Sequence, residues 1–242
     1  MNIKIVKDYQ EMSGKAAEYI AKKVQRFPSI KLGLATGGTP EGTYKKLIED
    51  HRNSRTSYRD VTTFNLDEYI GLSGNHPNSY RFYMKDHLFD HINIVPANTH
   101  IPKGDAGDSE EECERYEKLL AENGGIDLQI LGIGKNGHIG FNEPGTSFQS
   151  NTHVVPLTSS TREANARYFN SMEEVPSHAI TMGIGTIMKS REILLLVSGE
   201  AKKDAFTKLM NSEPDESFPA SVLLRHPNVT IIADEAAASG LK

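Results

Sequence analysis

The chain has 242 residues, 37% hydrophobic and 24% charged, a balance that fits a folded globule and excludes a disordered or fibrous chain. Its net charge of −5 argues against general nucleic-acid binding, and no apolar run approaches the ~20 residues that span a bilayer. The single cysteine, Cys113, permits no intrachain disulfide, and the N-terminus lacks a signal-peptide core, so a cytoplasmic protein is expected.

Strand-like and helix-like patterns alternate from the start. Residues 2–6 read as a strand, 9–27 as an amphipathic helix, and 30–35 as a second strand with a continuous apolar centre. The run Thr36-Gly37-Gly38-Thr39-Pro40 follows, in which Thr39 is a good N-cap and Pro40 a good first helical residue, predicting a helix to about His51. A glycine pair before a helix start suits a phosphate, but a tight strand-to-helix turn reads equally well. The nucleotide P-loop is excluded because no Gly-Lys-Ser/Thr follows.

Residues 61–66 read as a third strand that runs into Asp67, Glu68 and Tyr69. Adjacent carboxylates on a strand point to opposite faces, so only one can look into a shared site, and Asp67 is the better placed. A turn or helix cap is the plain alternative. Residues 78–92 read as a helix carrying His87 and His91 four apart, but no glutamate follows His87 and no third ligand lies at zinc spacing. Residues 108–123 form an acidic helix in which Cys113 sits among glutamates that raise a thiol pKa, the reverse of what a nucleophile needs.

The central run is Ile126-Asp-Leu-Gln-Ile-Leu-Gly-Ile-Gly-Lys-Asn-Gly-His-Ile-Gly-Phe-Asn-Glu-Pro-Gly145, a buried strand that breaks into glycines and then supplies His138 and Glu143. It contains a literal G-x-G-x-x-G, yet Gly140, Pro144 and Gly145 forbid the helix that a dinucleotide site requires, and no acid follows at the ribose position. A lone histidine is more often structural, but loops at the carboxyl ends of parallel strands are where α/β proteins keep their sites.

Beyond it, residues 152–157, 178–182, 192–197 and 229–233 read as strands, separated by a helix over 160–169 with Arg162 and Arg167, a glycine turn at Gly183 and Gly185, and a helix opening near Lys202. Seven or eight strands with helices between nearly all of them predict an α/β fold, a single domain over residues 1–242 with a doubly wound, mainly parallel sheet and helices on both faces. Bundled strand exits then build one anion-accepting cleft.

Four motifs now identify a likeness: Leu34-Ala-Thr-Gly-Gly-Thr-Pro40, Phe64-Asn-Leu-Asp-Glu-Tyr69, Gly132-Ile-Gly-Lys-Asn-Gly-His-Ile-Gly-Phe-Asn-Glu-Pro144 and Met182-Gly-Ile-Gly-Thr186. In this order, over essentially the whole chain, they make it resemble the glucosamine-6-phosphate deaminases, of the glucosamine/galactosamine-6-phosphate isomerase family, whose fold is shared with ribose-5-phosphate isomerases. The first and third motifs are partly shared with 6-phosphogluconolactonases, and the Asn-Leu-Asp-Glu-Tyr segment favours the deaminases. The resemblance implies conversion of glucosamine 6-phosphate and water to fructose 6-phosphate and ammonium. It implies Asp67 as the base that moves the C2 proton to C1, His138 as the ring-opening catalyst, Glu143 as its assistant, Gly37, Gly38 and Thr39 as the phosphate loop, and Arg167 and Lys202 as cationic phosphate ligands. No metal or organic cofactor is implied.

Two departures from the family pattern stand out. Asn136 occupies a place where many members carry an aspartate of the ring-opening relay; an amide orients His138 but cannot stabilise its cation by charge, which leaves that task to Glu143. His153 and Val155 stand where allosteric hexamers of the family, activated by N-acetylglucosamine 6-phosphate, carry basic side chains, and the tail ends at Lys242, so an unregulated monomer or small homo-oligomer is expected. Residues 158–175 are the candidate lid. The alternatives are a 6-phosphogluconolactonase-like hydrolase and a non-catalytic sugar-phosphate sensor; the sensor needs a DNA-binding module, and the chain begins directly with the sheet.

Overall fold

The computed structural model describes residues 1–166, 169 and 171–241. In chain order the elements are β1 (Asn2–Val6), α1 (Tyr9–Arg26), β2 (Lys31–Leu34), α2 (Gly38–Arg52), β3 (Thr62–Asn65), β4 (Asp67–Tyr69), α3 (Tyr80–His87), β5 (Thr99–His100), α4 (Ser109–Glu122), β6 (Leu128–Gly132), β7 (His153–Pro156), α5 (Ser159–Asn165), β8 (His178–Thr181), α6 (Ile184–Met188), β9 (Ile193–Val197), α7 (Lys203–Asn211), β10 (Val229–Asp234) and α8 (Glu235–Ala238).

Seven strands pair in parallel in the order β1-β10-β9-β6-β2-β3-β5. The centre of this sheet is mostly apolar sequence, Ile-Leu-Leu-Leu-Val in β9 and Val-Thr-Ile-Ile-Ala-Asp in β10, because both faces are covered. Successive side chains separate into two cores: Leu195, Val197 and Ile231 pack with Tyr116 of α4 and Phe206 of α7, whereas Leu194, Leu196 and Ile232 pack with Ile20 of α1 and Leu47 of α2. That is the doubly wound, mainly parallel arrangement the alternation of patterns predicts.

The strand order reverses between β2 and β6. From β2 the chain winds outward through β3 and β5, then returns to β6 and winds the other way through β9 and β10. Loops that leave the carboxyl ends on either side of such a reversal part and open a crevice. Four contiguous strands, in the order β9-β6-β2-β3, therefore send their exits to one place, and these exits carry Lys202, the His138 loop, the Gly37–Gly38 turn and Asp67.

Three expectations need correction. Residues 67–69, 153–156 and 178–181 do not join the parallel sheet; they form an antiparallel sheet of their own, β4-β8-β7. Only Leu66 separates β3 from β4, so the chain leaves the first sheet and enters the second at the residue before Asp67. Helix α2 begins at Gly38 with Gly37 as its N-cap, not at Thr39, because Gly37 adopts φ 93°, which few other residues tolerate. Pro40 falls within the first turn, where its missing N–H has no helical acceptor to lose. Helix α3 is shorter than the pattern suggests: Ser79 caps it, and it stops at His87, whose ring stacks on Tyr83 at a centroid distance of 4.1 Å.

Candidate active site

The loop after β6 is held by its own backbone. The N–H of Gly134 donates to the carbonyl of His138 (2.8 Å) and that of Gly137 to Gly134 (3.0 Å), closing a tight turn. Gly137 sits at φ 87° beneath the ring of Phe218, where a Cβ would stand 2.2 Å from the nearest ring carbons. The imidazole of His138 lies flat over Gly134, so close that a Cβ on Gly134 would fall within 2.4 Å of three ring atoms. These glycines fix where the imidazole goes.

Glu143 closes the same loop. Its Oε2 accepts from Nδ2 of Asn136 at 2.6 Å, its Oε1 accepts from Oγ1 of Thr161 at 3.0 Å, and Nδ1 of His138 lies 3.7 Å from Oε1. That last separation exceeds a hydrogen bond, and Nδ1, though buried, has no hydrogen-bond partner among the described residues. The neighbouring imidazole, then the Asn136 amide and the Thr161 hydroxyl, hold the Glu143 carboxyl down to about 2 against the opposing effect of burial. At 3.7 Å the imidazole acts on it through charge. Asn136 also accepts from the backbone N–H of His138 at 3.2 Å, so one amide orients both groups.

Asp67 arrives from the second sheet. It pairs with Thr181 of β8, and the Thr181 hydroxyl accepts from the N–H of Phe141 at 3.1 Å. Asn142 ties the loop to the same strand exit, donating to the carbonyls of Ile139 and Met182, both at 2.9 Å. Gly140, at φ 58°, lies against this junction: a Cβ there would stand 3.0 Å from the Thr181 hydroxyl and 3.6 Å from Oδ2 of Asp67. The carboxylate thus faces the loop two residues beyond His138. It is 6% exposed, and burial first, then the charge of Glu68, pushes its pKa up to about 8. Glu68 points the other way and caps α3, accepting from the N–H groups of Tyr69, Tyr80 and Arg81 at 2.9, 2.9 and 3.0 Å. Burial lifts it to about 6 while those three donors pull it back. The two adjacent acids have separate tasks, as their opposite directions require.

The Gly37–Gly38 turn offers donors without competition. Gly37 has no side chain to cap α2, Gly38 is exposed, and the first N–H groups of a 15-residue helix stand at its positive end. Lys202 follows the exit of β9 and forms no ion pair among the described residues; burial, then the nearby positive charge of Lys135, pushes its pKa down. Lys202 and Lys135 lie near enough to repel each other and form no ion pair among the described residues, and a bare helix start is an environment that favours an anion. Arg167 lies outside the described residues. Lys135, Thr161, Thr181 and Asn142 were not singled out by sequence. Lys135 sits inside the glycine loop and could have been found as a charge with no local partner, whereas the other three act across more than 15 residues and leave no spacing pattern. An open groove of about 330 Å³ between α1 and α2 is lined by charged residues such as Glu18, Lys22, Lys46, Glu49 and Asp50 and brings none of these groups together.

A family model described as glucosamine-6-phosphate isomerases/6-phosphogluconolactonase matches residues 7–232. The glucosamine-6-phosphate deaminase of Shouchella clausii is 60% identical over 239 residues, covering 99% of this chain and 97% of its own length. Glucosamine-6-phosphate deaminase 1 of Bacillus subtilis is 53% identical over 239 residues, 99% of each chain. The solved structure of a monomeric glucosamine-6-phosphate deaminase superposes with a TM-score of 0.97 at 53% identity, covering 99% of this chain and 100% of that one. The 6-phosphogluconolactonase of Trypanosoma brucei shares the fold, with a TM-score of 0.81 at 20% identity over 100% of this chain and 98% of that one.

Proposed function

This chain belongs to the family of glucosamine-6-phosphate isomerases and 6-phosphogluconolactonases, and from that premise we propose that it converts D-glucosamine 6-phosphate and water to D-fructose 6-phosphate and ammonium. The observation that carries this reading is the approach of the buried Asp67 carboxyl to Gly140, within the loop that holds His138 and Glu143. A lactone hydrolase has no proton to move between carbons and no use for a dry carboxylate poised near neutrality beside an imidazole.

The first step opens the pyranose. The imidazole of His138 takes the proton from O1 and delivers it to O5 as the C1–O5 bond breaks, leaving an aldehyde at C1. Glu143, ionised across the working pH range, stabilises the imidazolium that exists between the two transfers. Asn136 ties the Glu143 carboxylate to the backbone of the residue that carries the ring.

The second step moves hydrogen between neighbouring carbons. Asp67, once ionised, removes the C2 proton; the electron pair forms a C1–C2 double bond, and O1 takes a proton from the substrate's ammonium, whose nitrogen is left as an amine with a lone pair. The carboxylic acid then returns its proton to C1 as the nitrogen lone pair closes a C2=N bond. Water adds to that imine and ammonia departs, leaving the ketose. A pKa of about 8 in the free protein makes Asp67 a stronger base than an exposed carboxylate. The ammonium group of the incoming substrate favours its ionised form, so substrate binding prepares the base that acts on it.

The phosphate lies at the other end, on Gly37, Gly38, Thr39 and Lys202, with Arg167 completing the cation set. The chain acts as a monomer without allosteric control, a reading supported by its likeness to the solved monomeric deaminase. The test is ammonia release from glucosamine 6-phosphate in deuterated water, repeated with Asp67→Asn. Some deuterium at C1 of the fructose 6-phosphate, admitted where the Asp67 acid exchanges with solvent before it returns its proton, and loss of turnover in the variant are expected; turnover with no dependence on Asp67 would overturn the assignment.

A further inference from the structure

Two tyrosines reach the Gly37–Gly38 turn from opposite helices. From α3, the hydroxyl of Tyr83 donates to the carbonyl of Gly37 at 2.8 Å. From α1, the hydroxyl of Tyr9 donates to the carbonyl of Gly38 at 2.8 Å and accepts from the N–H of Gly42, also at 2.8 Å. The Tyr9 oxygen thus bridges the two groups that define the first turn of α2.

A peptide unit is planar and trans, so the carbonyl of residue i points opposite to the N–H of residue i+1. Fixing the carbonyl of Gly37 fixes the direction of the Gly38 N–H, and fixing the carbonyl of Gly38 fixes that of Thr39. These are the two leading donors of the anion-binding turn. Consecutive glycines would otherwise let both peptide planes rotate, since neither residue has a Cβ to restrict them.

The surroundings are arranged for this contact. A Cβ on Gly42 would lie 2.9 Å from the Tyr9 hydroxyl oxygen and 2.4 Å from the Ser13 hydroxyl, so only glycine admits Tyr9 at that depth. The ring of Tyr83 is stacked against His87 at 11° between planes, and Nδ1 of His87 bonds the Tyr83 carbonyl at 3.0 Å. Both hydroxyls are therefore delivered by side chains with little freedom.

We propose that Tyr9 and Tyr83 are positioning residues for phosphate recognition: their hydroxyls grip successive carbonyls of the Gly37–Gly38 turn and aim the opposite N–H groups at the substrate phosphate. The inference rests on the assignment of this turn as the phosphate site.

The test compares Tyr9→Phe, Tyr83→Phe and the double variant with Lys202→Ala, measuring steady-state deamination of glucosamine 6-phosphate and competitive inhibition by inorganic phosphate. Each phenylalanine variant keeps its ring and loses one hydrogen bond, so KM and the inhibition constant of phosphate rise together by roughly 3- to 10-fold, while kcat is retained, as for loss of uniform binding. The double variant multiplies the two effects. If Lys202→Ala weakens phosphate and the phenylalanine variants do not, the clamp is refuted while the site stands. If none of the three alters phosphate inhibition, the turn is not the phosphate site and the clamp falls with it. A drop in kcat with unchanged phosphate inhibition would mark the tyrosines as general packing and also refute the proposal.

Discussion

Replacing Asp67 by asparagine should abolish deamination and, at the same time, make the protein more stable as the pH rises. The carboxyl titrates at about 8 in the folded chain against 3.8 when free. Between those values the native state keeps a proton that the unfolded state has released, so stability falls with rising pH across this window; the favourable contribution is complete below 3.8 and lost once the pH passes about 8. At about 1.36 kcal/mol for each pKa unit, the whole shift corresponds to about 6 kcal/mol, of which about 3–4 kcal/mol falls between pH 5 and pH 8. Glu68, raised from 4.5 to about 6, acts with the same sign but is present in both proteins. Urea unfolding of the native chain and Asp67→Asn at pH 5 and pH 8 measures the difference directly. The gain from the substitution should grow by several kcal/mol from the lower to the higher pH, with kcat/KM of the native enzyme rising through its half-maximum near pH 8. A gain that stays constant between the two pH values would refute the claim that Asp67 is held neutral by burial.

Three further outcomes test other parts of the site. Gly134→Ala drives a methyl group into the space of the His138 ring, and since misplacement by about 1 Å can cost ~100-fold, kcat should fall by that order while the circular dichroism spectrum is preserved; near-native kcat would show that the ring need not lie where it does. Glu143→Gln removes a carboxyl held at about 2; the native chain should lose stability as the pH falls from 4.5 through 2, where this group takes up its proton, and the variant should lack that acid limb along with ring-opening activity, both visible in acid titrations and ammonia release. Sedimentation should give a single species near 26.8 kDa with hyperbolic kinetics, and sigmoidal kinetics relieved by N-acetylglucosamine 6-phosphate would rule out the unregulated monomer.

The parts legible in the sequence are those governed by local rules. β9 announces itself as an unbroken apolar run, and β6 and β10 as mostly apolar ones, because a parallel sheet buries both faces, and the glycines after β6 mark the exit that carries His138 and Glu143. The strands at 152–157 and 178–182 were legible, but their membership of a second sheet was not: β4 has only three residues, and its antiparallel partner β8 lies over 100 residues from it in the chain. The choice of Asp67 over Glu68 was available from strand geometry alone. What held Asp67 beside the His138 loop was not, because it depends on Thr181, Asn142 and the missing Cβ of Gly140, which meet only after folding.

The detour into a second sheet explains how one crevice holds two opposed environments. Had β3 simply ended in a solvated loop, as the exits of β2 and β9 do, Asp67 would be a hydrated acid titrating near 4, too weak a base for a carbon-bound proton. Pairing Asp67 with Thr181 moves it under Gly140 and out of water, at a cost equivalent to two to four core side chains at about 1.5–3 kcal/mol each. The six leucines and isoleucines of β9 and β10, all fully or almost fully buried, offset that cost about two-fold on the same scale. The proposed phosphate end needs the reverse: exposed N–H groups and an ammonium with no ion pair among the described residues, which the turn at Gly37–Gly38 and Lys202 offer without any second sheet. A substrate with an ammonium near C2 and a phosphate at C6 matches this division of the crevice end for end, whereas a lactone, lacking the cation, would leave Asp67 protonated and idle.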